Sequence, residues 1–155
     1  MDHEKWMAQA LRYAEKAAKL DEVPVGAVFV YENRIISSAH NERESGRDPM
    51  GHAEILALKR ASEALGRWRL CGGTLYVTLE PCPMCAGALV NSRIDRLVYG
   101  ASDPKAGAVE SLYNLVQDER LNHQIEVVSG VFREECSSRL TQFFREKRAR
   151  SKLKK

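Results

Sequence analysis

Two short segments, His52-Ala53-Glu54 and Pro81-Cys82-Pro83-Met84-Cys85, constrain this chain more than any other feature. They supply three soft or borderline metal ligands, His52, Cys82 and Cys85, and one further acid, Glu54. Two thiolates at i and i+3 project from one side of a helix and can reach a single ion. Pro83 suits a first helical turn, where its missing N–H is not needed, and a helix N-terminus favours the negative charge of both sulfurs. The histidine must arrive from elsewhere in space. The fold therefore has to bring two helix starts together with a strand between them in sequence.

Three protein ligands leave a tetrahedral zinc ion with one position for water, which separates a catalytic site from a structural one. Residues at i and i+2 do not share a helix face, so Glu54 addresses water and substrate while His52 binds the metal. A dication with two thiolates and a neutral imidazole is formally neutral and acidifies its water less than an all-histidine site would. Glu54 is therefore needed as the base during attack and as the acid for the leaving group. A CxxC pair alone is more often half of a closed structural site. Closure would need a fourth ligand from Cys71, Cys136, His40 or His123, none of which falls in a second CxxC or HxxxH pairing.

With 155 residues and a hydrophobic fraction of 44 %, the chain reads as a single domain over 1–155 with a continuous core. No segment approaches the ~20 apolar residues of a membrane span. The opening residues, Met1-Asp2-His3-Glu4-Lys5, lack the apolar run of a signal peptide, so a cytoplasmic location is expected. Cys71 and Cys136 then read as small buried hydrophobes, not as a disulfide. A net charge of +3 is too weak to indicate a polyanionic partner, but Arg145, Lys147, Arg148, Arg150, Lys152, Lys154 and Lys155 cluster against the single acid Glu146. Such a basic end can bind phosphates through counterion release, or can be a solvated terminus.

The spacing of Trp6, Met7, Ala10, Leu11, Ala14, Ala17 and Ala18 predicts a helix over 3–20 with Asp2 as its N-cap. Strands are predicted over 23–31 and 34–40, joined by a turn at Glu32-Asn33-Arg34. A polar loop over 41–50 leads to a helix over 51–65, with His52 and Glu54 in its opening turn. A third strand follows over 74–79, then a helix from Pro83 to about Asn91 and a fourth strand over 96–100. Beyond a loop at 101–107 come a short helix over 111–116, a fifth strand over 125–129, and a closing helix from 132 to about 148. Helix and basic tail together cover about 132–155. Strands alternating with helices argue for one α/β sandwich. Strand order is not legible from these patterns.

The H-x-E and P-C-x-x-C segments together resemble the signature of the zinc deaminases, and the chain resembles the bacterial tRNA-specific adenosine deaminases of the cytidine and deoxycytidylate deaminase superfamily. The likeness extends to Val23-Pro24-Val25-Gly26-Ala27-Val28, Asn41, Asp48-Pro49, Thr78-Leu79-Glu80-Pro81-Cys82, the loop from Gly100 to Ala108, and Phe143-Phe144-Arg145 with the basic tail. It departs at Met50-Gly51, where a small hydroxyl residue and alanine are usual, and at Glu110, where glycine is common.

The resemblance implies a three-layer α/β/α sandwich of the cytidine deaminase-like fold, with a five-stranded mixed sheet and helices on both faces. It implies one Zn²⁺ per chain on His52, Cys82 and Cys85, Glu54 as the catalytic acid–base group, and a homodimer. Substrate contacts are implied for Val25, Asn41, Ala53, Asp103, Lys105, Phe144 and Arg145. An amide such as Asn41 can both donate and accept, which suits a purine edge. At least one of Phe143 and Phe144 is expected in the core. The implied reaction is hydrolysis of adenosine to inosine at the wobble position of a tRNA anticodon stem-loop, where a single-stranded base is splayed out at low cost. Two rivals stay open: the same zinc chemistry on a free nucleobase or nucleoside, and a noncatalytic zinc-stabilised RNA-binding module.

Overall fold

In the computed structural model, which describes residues 2–153, strand side chains alternate between two separate cores. The elements in chain order are α1 (His3–Lys19), β1 (Gly26–Tyr31), β2 (Arg34–His40), α2 (Ala53–Leu65), β3 (Thr74–Leu79), α3 (Pro83–Ser92), β4 (Arg96–Ala101), β5 (Glu126–Ser129) and α4 (Arg133–Leu153). The strands form one sheet in the order β2-β1-β3-β4-β5. β1 runs antiparallel to β2 and β3, while β4 runs parallel to β3 and β5. Ala27, Phe29, Leu75, Val77, Leu97 and Tyr99 face Ala57, Leu58 and Ala61 of α2 and Ala86, Leu89 and Val90 of α3. Val28, Val30, Tyr76 and Val98 face Trp6, Met7, Ala10 and Leu11 of α1 and Cys136 of α4. Burial on both faces is why the central strands read as near-continuous apolar runs. The result is the three-layer sandwich with a mixed sheet.

Local chemistry explains the element ends. Asp2 caps α1, its carboxylate accepting the Lys5 N–H at 3.1 Å. Glu32 and Asn33 both hold positive φ, 49° and 61°, so the β1–β2 hairpin closes on a two-residue turn whose twist matches its strands. The pairing passes from Phe29–Ser37 to Val30–Ile35, which leaves Ile36 as an extra residue on β2, a β-bulge. Gly26 starts β1 where a Cβ would run into the Ala10 carbonyl, so α1 lies directly on the sheet.

Several expectations are corrected. The first strand starts at Gly26, not Val23, because Val25 N–H bonds the Val23 carbonyl at 2.8 Å in a tight turn around Pro24. α2 starts at Ala53, and His52 is its extended N-cap. Residues 111–116 form an irregular loop, not a helix, because the N–H groups of Leu112 and Leu115 bond the Gly107 and Ala108 carbonyls. α4 continues past Arg148 to Leu153, a stretch rich in good helix formers that Arg150 ties to Asp21 of the α1–β1 turn at 2.8 Å. Lys154 and Lys155 of the basic tail lie outside the described residues. Cys136 is buried, but Cys71 is exposed. Among the described residues, no helix is long and apolar enough to cross a membrane.

Candidate active site

Sheet register delivers four chain segments to one edge of the fold. Gly26 pairs with His40, Ala27 with Val77 and Leu79 with Ala101. Just beyond these strand ends stand Val25, Asn41, Glu80 and Ser102, and all four line a cleft of about 770 Å³. The cleft lies outside the carboxyl ends of the parallel strands β3 and β4, a usual place for a ligand in an α/β sheet.

The starts of α2 and α3 meet at the cleft floor. Cys82 is the N-cap of α3 and Cys85 lies in its first turn, while His52 caps α2. His52 Nδ1 lies 3.6 Å from Cys82 Sγ and 3.4 Å from Cys85 Sγ. One donor atom from each residue lies within 4.8 Å of the others, so the three can hold a metal ion. The hydrogen bond from the Cys85 thiol holds Cys82 down to about 4, and the same contact pushes Cys85 far up. A cation bound to both sulfurs takes the place of the thiol proton. His52 is pushed up, first by its hydrogen bond with Cys82. Glu54, in the first turn of α2, is buried at 4 % exposure yet lines the cleft; its burial raises its pKa.

Neither capping position uses its own side chain. His52 makes no side-chain cap bond, because its ring faces the sulfurs. Asn41 supplies the missing acceptor: its buried Oδ1 takes the Ala53 N–H at 2.8 Å. The Asn41 backbone N–H bonds the Val25 carbonyl at 3.1 Å, which locks the amide in place. Its side-chain Nδ2 is left as the donor for the cleft, so the amide offers a donor there and not the donor–acceptor pair that a free amide has.

The other predicted contacts divide. Val25, Asn41, Asp103, Lys105 and Phe144 line the cleft. Ala53 does not: it is fully buried and its N–H belongs to Asn41. Arg145 does not either, and lies on a different face of α4 among Arg133, Gln142 and Glu146. The α4 wall is the stripe Ser137, Leu140, Thr141, Phe144 and Arg148. Steps of three and four residues put these on one helix face and put Arg145 about 100° away from Phe144. That spacing could have identified Arg148 from the sequence. Phe143 packs in the core at 5 % exposure, while Phe144 is open at 41 %. Arg43 also lines the cleft, and no sequence signal singles it out.

Glu80 is a further residue missed by sequence reasoning. At 2 % exposure its carboxylate accepts the N–H groups of Asp103 (3.0 Å), Val109 (3.1 Å), Glu110 (2.9 Å) and Ser111 (3.0 Å), and the Ser111 hydroxyl. Burial alone pushes its pKa up, but these donors together hold it below the usual value. Asp103 in turn folds its own loop, Oδ1 accepting the N–H groups of Lys105 and Ala106.

The alternative metal ligands lie elsewhere. Cys136 sits in the opposite core, His40 Nδ1 contacts the Asn41 carbonyl at 2.9 Å, and His123 Nε2 contacts the Ile94 carbonyl at 2.7 Å. Among the described residues, none of these, nor Cys71, joins the His52–Cys82–Cys85 group.

Comparison with known proteins agrees with this geometry. The family model for MafB19-like deaminases matches residues 1–148. A tRNA-specific adenosine deaminase of Bacillus subtilis (strain 168) is 55 % identical over 149 residues, covering 96 % of this chain and 92 % of the relative. A solved structure from studies of A-to-I editing by tRNA:A34 deaminases at the wobble position superposes with a TM-score of 0.85 at 46 % identity, covering 88 % of this chain and 99 % of that one. The guanine deaminase of Bacillus subtilis superposes less closely, with a TM-score of 0.63 at 35 % identity and 66 % of each chain covered.

Proposed function

The chain belongs to the tRNA-specific adenosine deaminases, within the MafB19-like deaminases, and from that premise we propose that it converts adenosine to inosine at the wobble position of a tRNA anticodon. The observation that carries this reading is one cleft in which His52, Cys82 and Glu54 meet the Asn41 amide and the Phe144–Arg148 face of α4. A small-molecule deaminase needs the first group. The exposed ring and the cation of the second suit a stacked base and a phosphate of a single strand.

Zinc fits the ligand group. Zn–S bonds of about 2.3 Å and a Zn–N bond of about 2.0–2.1 Å in a tetrahedron separate nitrogen from sulfur by about 3.5 Å, between the two distances found here. Bound on His52, Cys82 and Cys85, zinc supplies a Lewis acid that makes water nucleophilic. Glu54 takes one proton from the water that attacks the amino-bearing ring carbon and gives it to the ring nitrogen. It then takes the second proton from the new hydroxyl and gives it to the departing amine as the C–N bond breaks, so that adenine and water give hypoxanthine and ammonia. Asn41 Nδ2 donates to the base edge and fixes the ring over Glu54. Phe144 offers a face to a neighbouring base, and Arg43, Lys105 and Arg148 offer cations to its phosphates.

The tRNA substrate supports a cytoplasmic setting. The resemblance implies a homodimer; light scattering on the purified protein tests it. To test the activity, zinc-loaded protein is incubated with an anticodon stem-loop carrying wobble adenosine, and in parallel with free adenosine, cytidine and guanine. Inosine in the stem-loop, with ammonia released faster than from any free compound, is the expected result. Faster release from free guanine or cytidine moves the protein to the small-molecule class.

A further inference from the structure

The wall of the cleft opposite Asn41 is a segment with no helix or strand of its own. Residues 102–111 run as consecutive turns, yet they carry Ser102, Asp103, Pro104, Lys105 and Ala106 into the cleft. What gives this segment a shape is a carboxylate one residue from the metal loop. Glu80 is followed by Pro81 and then by the ligand Cys82. Its Oε2 gathers the three consecutive N–H groups of residues 109–111, and its Oε1 holds both Asp103 N–H and the Ser111 hydroxyl.

Two backbone bonds complete the joint. Glu80 N–H reaches the Ala101 carbonyl at 2.8 Å, and Ala108 N–H reaches the Pro81 carbonyl at 2.8 Å. Gly107 lies against the carboxylate so closely that a Cβ would enter it. Glu110 makes a second attachment, its carboxylate accepting the hydroxyl of buried Tyr99 on β4. Most of the segment's anchors therefore converge on Glu80, two residues before Cys82.

We propose that Glu80 is a positioning residue: its buried carboxylate fixes the 102–111 segment relative to the metal ligands and so sets the place of the nucleotide flanking the target base. The inference rests on the RNA reading above for the identity of that nucleotide. Glu80 reaches no reacting atom; it acts through Asp103, Lys105 and Ala106. An amide cannot replace it. Gln offers one acceptor oxygen and turns an NH₂ group toward N–H donors, so no rotamer satisfies both ends. A loosened segment should weaken capture of the flanking nucleotide while leaving the zinc ligands and Glu54 in place.

The test compares wild type with Glu80→Gln, with Ser111→Ala, which removes one donor only, and with Val98→Ala, a truncation in the core under α1 and α4. Zinc content, melting temperature, kcat and KM on the anticodon stem-loop are measured for each. Glu80→Gln should keep one zinc per chain and raise KM about tenfold with kcat within about threefold, and Ser111→Ala should move KM the same way by about two- to threefold. Val98→Ala should lower the melting temperature without moving KM. An unchanged KM in folded Glu80→Gln overturns the proposal, as does a KM rise in Val98→Ala equal to that of Glu80→Gln at matched stability loss. If Glu80→Gln does not fold, Ser111→Ala decides by the same criterion. Failure of the RNA reading is seen in wild type itself, which would then prefer a free base; such a substrate has no flanking nucleotide, so that result overturns the proposal independently of the variants.

Discussion

Asn41 Oδ1 accepts the Ala53 N–H at 2.8 Å and thereby caps a helix to which it does not belong. His52 occupies the N-cap position, but its ring is committed to the sulfurs. The two halves of the Asn41 amide consequently have separate duties, Oδ1 to the fold and Nδ2 to the cleft. Asn41→Asp keeps the acceptor and removes the donor, so it should melt close to wild type but deaminate poorly. Asn41→Ala removes both and should also cost about 1–3 kcal/mol of stability, the range for a lost cap that strands a buried N–H. Thermal melts beside inosine formation separate the two, and equal activity of Asn41→Asp and wild type would remove the donor from the mechanism.

Glu54→Gln should lower turnover by about 10²–10⁴-fold, the usual worth of a general acid–base group, because an amide can neither take up nor release a proton in the reaction. Metal content should stay at one ion per chain. Elemental analysis beside the rate measurement checks both, and near-wild-type turnover by the loaded variant would exclude Glu54 as the proton carrier.

Chelation should abolish activity, and added zinc should restore it. His52→Ala and Cys82→Ser should lose the ion, whereas Cys71→Ser and Cys136→Ser should keep it, since Cys71 and Cys136 lie outside the cluster. Metal analysis of the four variants decides. Loss of zinc from either of the last two would mean a closed site.

Arg148 lines the cleft and Arg145 does not. Arg148→Ala should weaken stem-loop binding and reduce the slope of log K against log salt by about 0.7, the value for one phosphate contact on a single strand. Arg145→Ala should change the slope much less. Binding titrations across a salt series measure both, and equal slopes for the two variants would contradict the assigned α4 face.

Glu22, buried at 2 % exposure, accepts the N–H groups of Glu44 (3.1 Å) and Ser45 (2.6 Å) and so shapes the loop that carries Arg43. Burial pushes its pKa up, but these backbone donors outweigh it and hold the folded value below 4.5. The stabilisation is therefore fully present above 4.5 and is lost as pH falls through the folded value. The gap in melting temperature between wild type and Glu22→Gln should be widest near neutrality and shrink on acidification below 4.5. A gap independent of pH would show that the charge of Glu22 is not what holds the loop.

Much of this was legible in the sequence because local rules were not overridden. β3 is a run of β-branched and aromatic residues between glycines and a proline, and it begins and ends where that pattern does. The metal group was legible because its ligand spacing admits few other uses. Residues 111–116 were not, because the Leu112 and Leu115 N–H groups bond the carbonyls of Gly107 and Ala108, in a loop that a carboxylate distant in sequence, Glu80, folds. Glu80 and Glu22 were illegible for the same reason: a single acid carries no sign of whether it will be buried among backbone donors. Ala53 and Arg145 fell within well-matched motifs, yet one atom and one helix face decided that neither reaches the cleft.

The extra residue on β2 bears on how copies of the molecule behave when crowded. β2 is an edge strand, and its outer N–H and C=O groups would invite a strand from another molecule. The bulge at Ile36 interrupts the ladder and twists that rim, so a second strand finds no long straight register to extend. The opposite rim is guarded differently: β5 has only four residues, and Glu126 on it is clamped by Arg96 at 2.8 Å. Both borders of the sheet thus carry features that disfavour edge-to-edge pairing with a second copy.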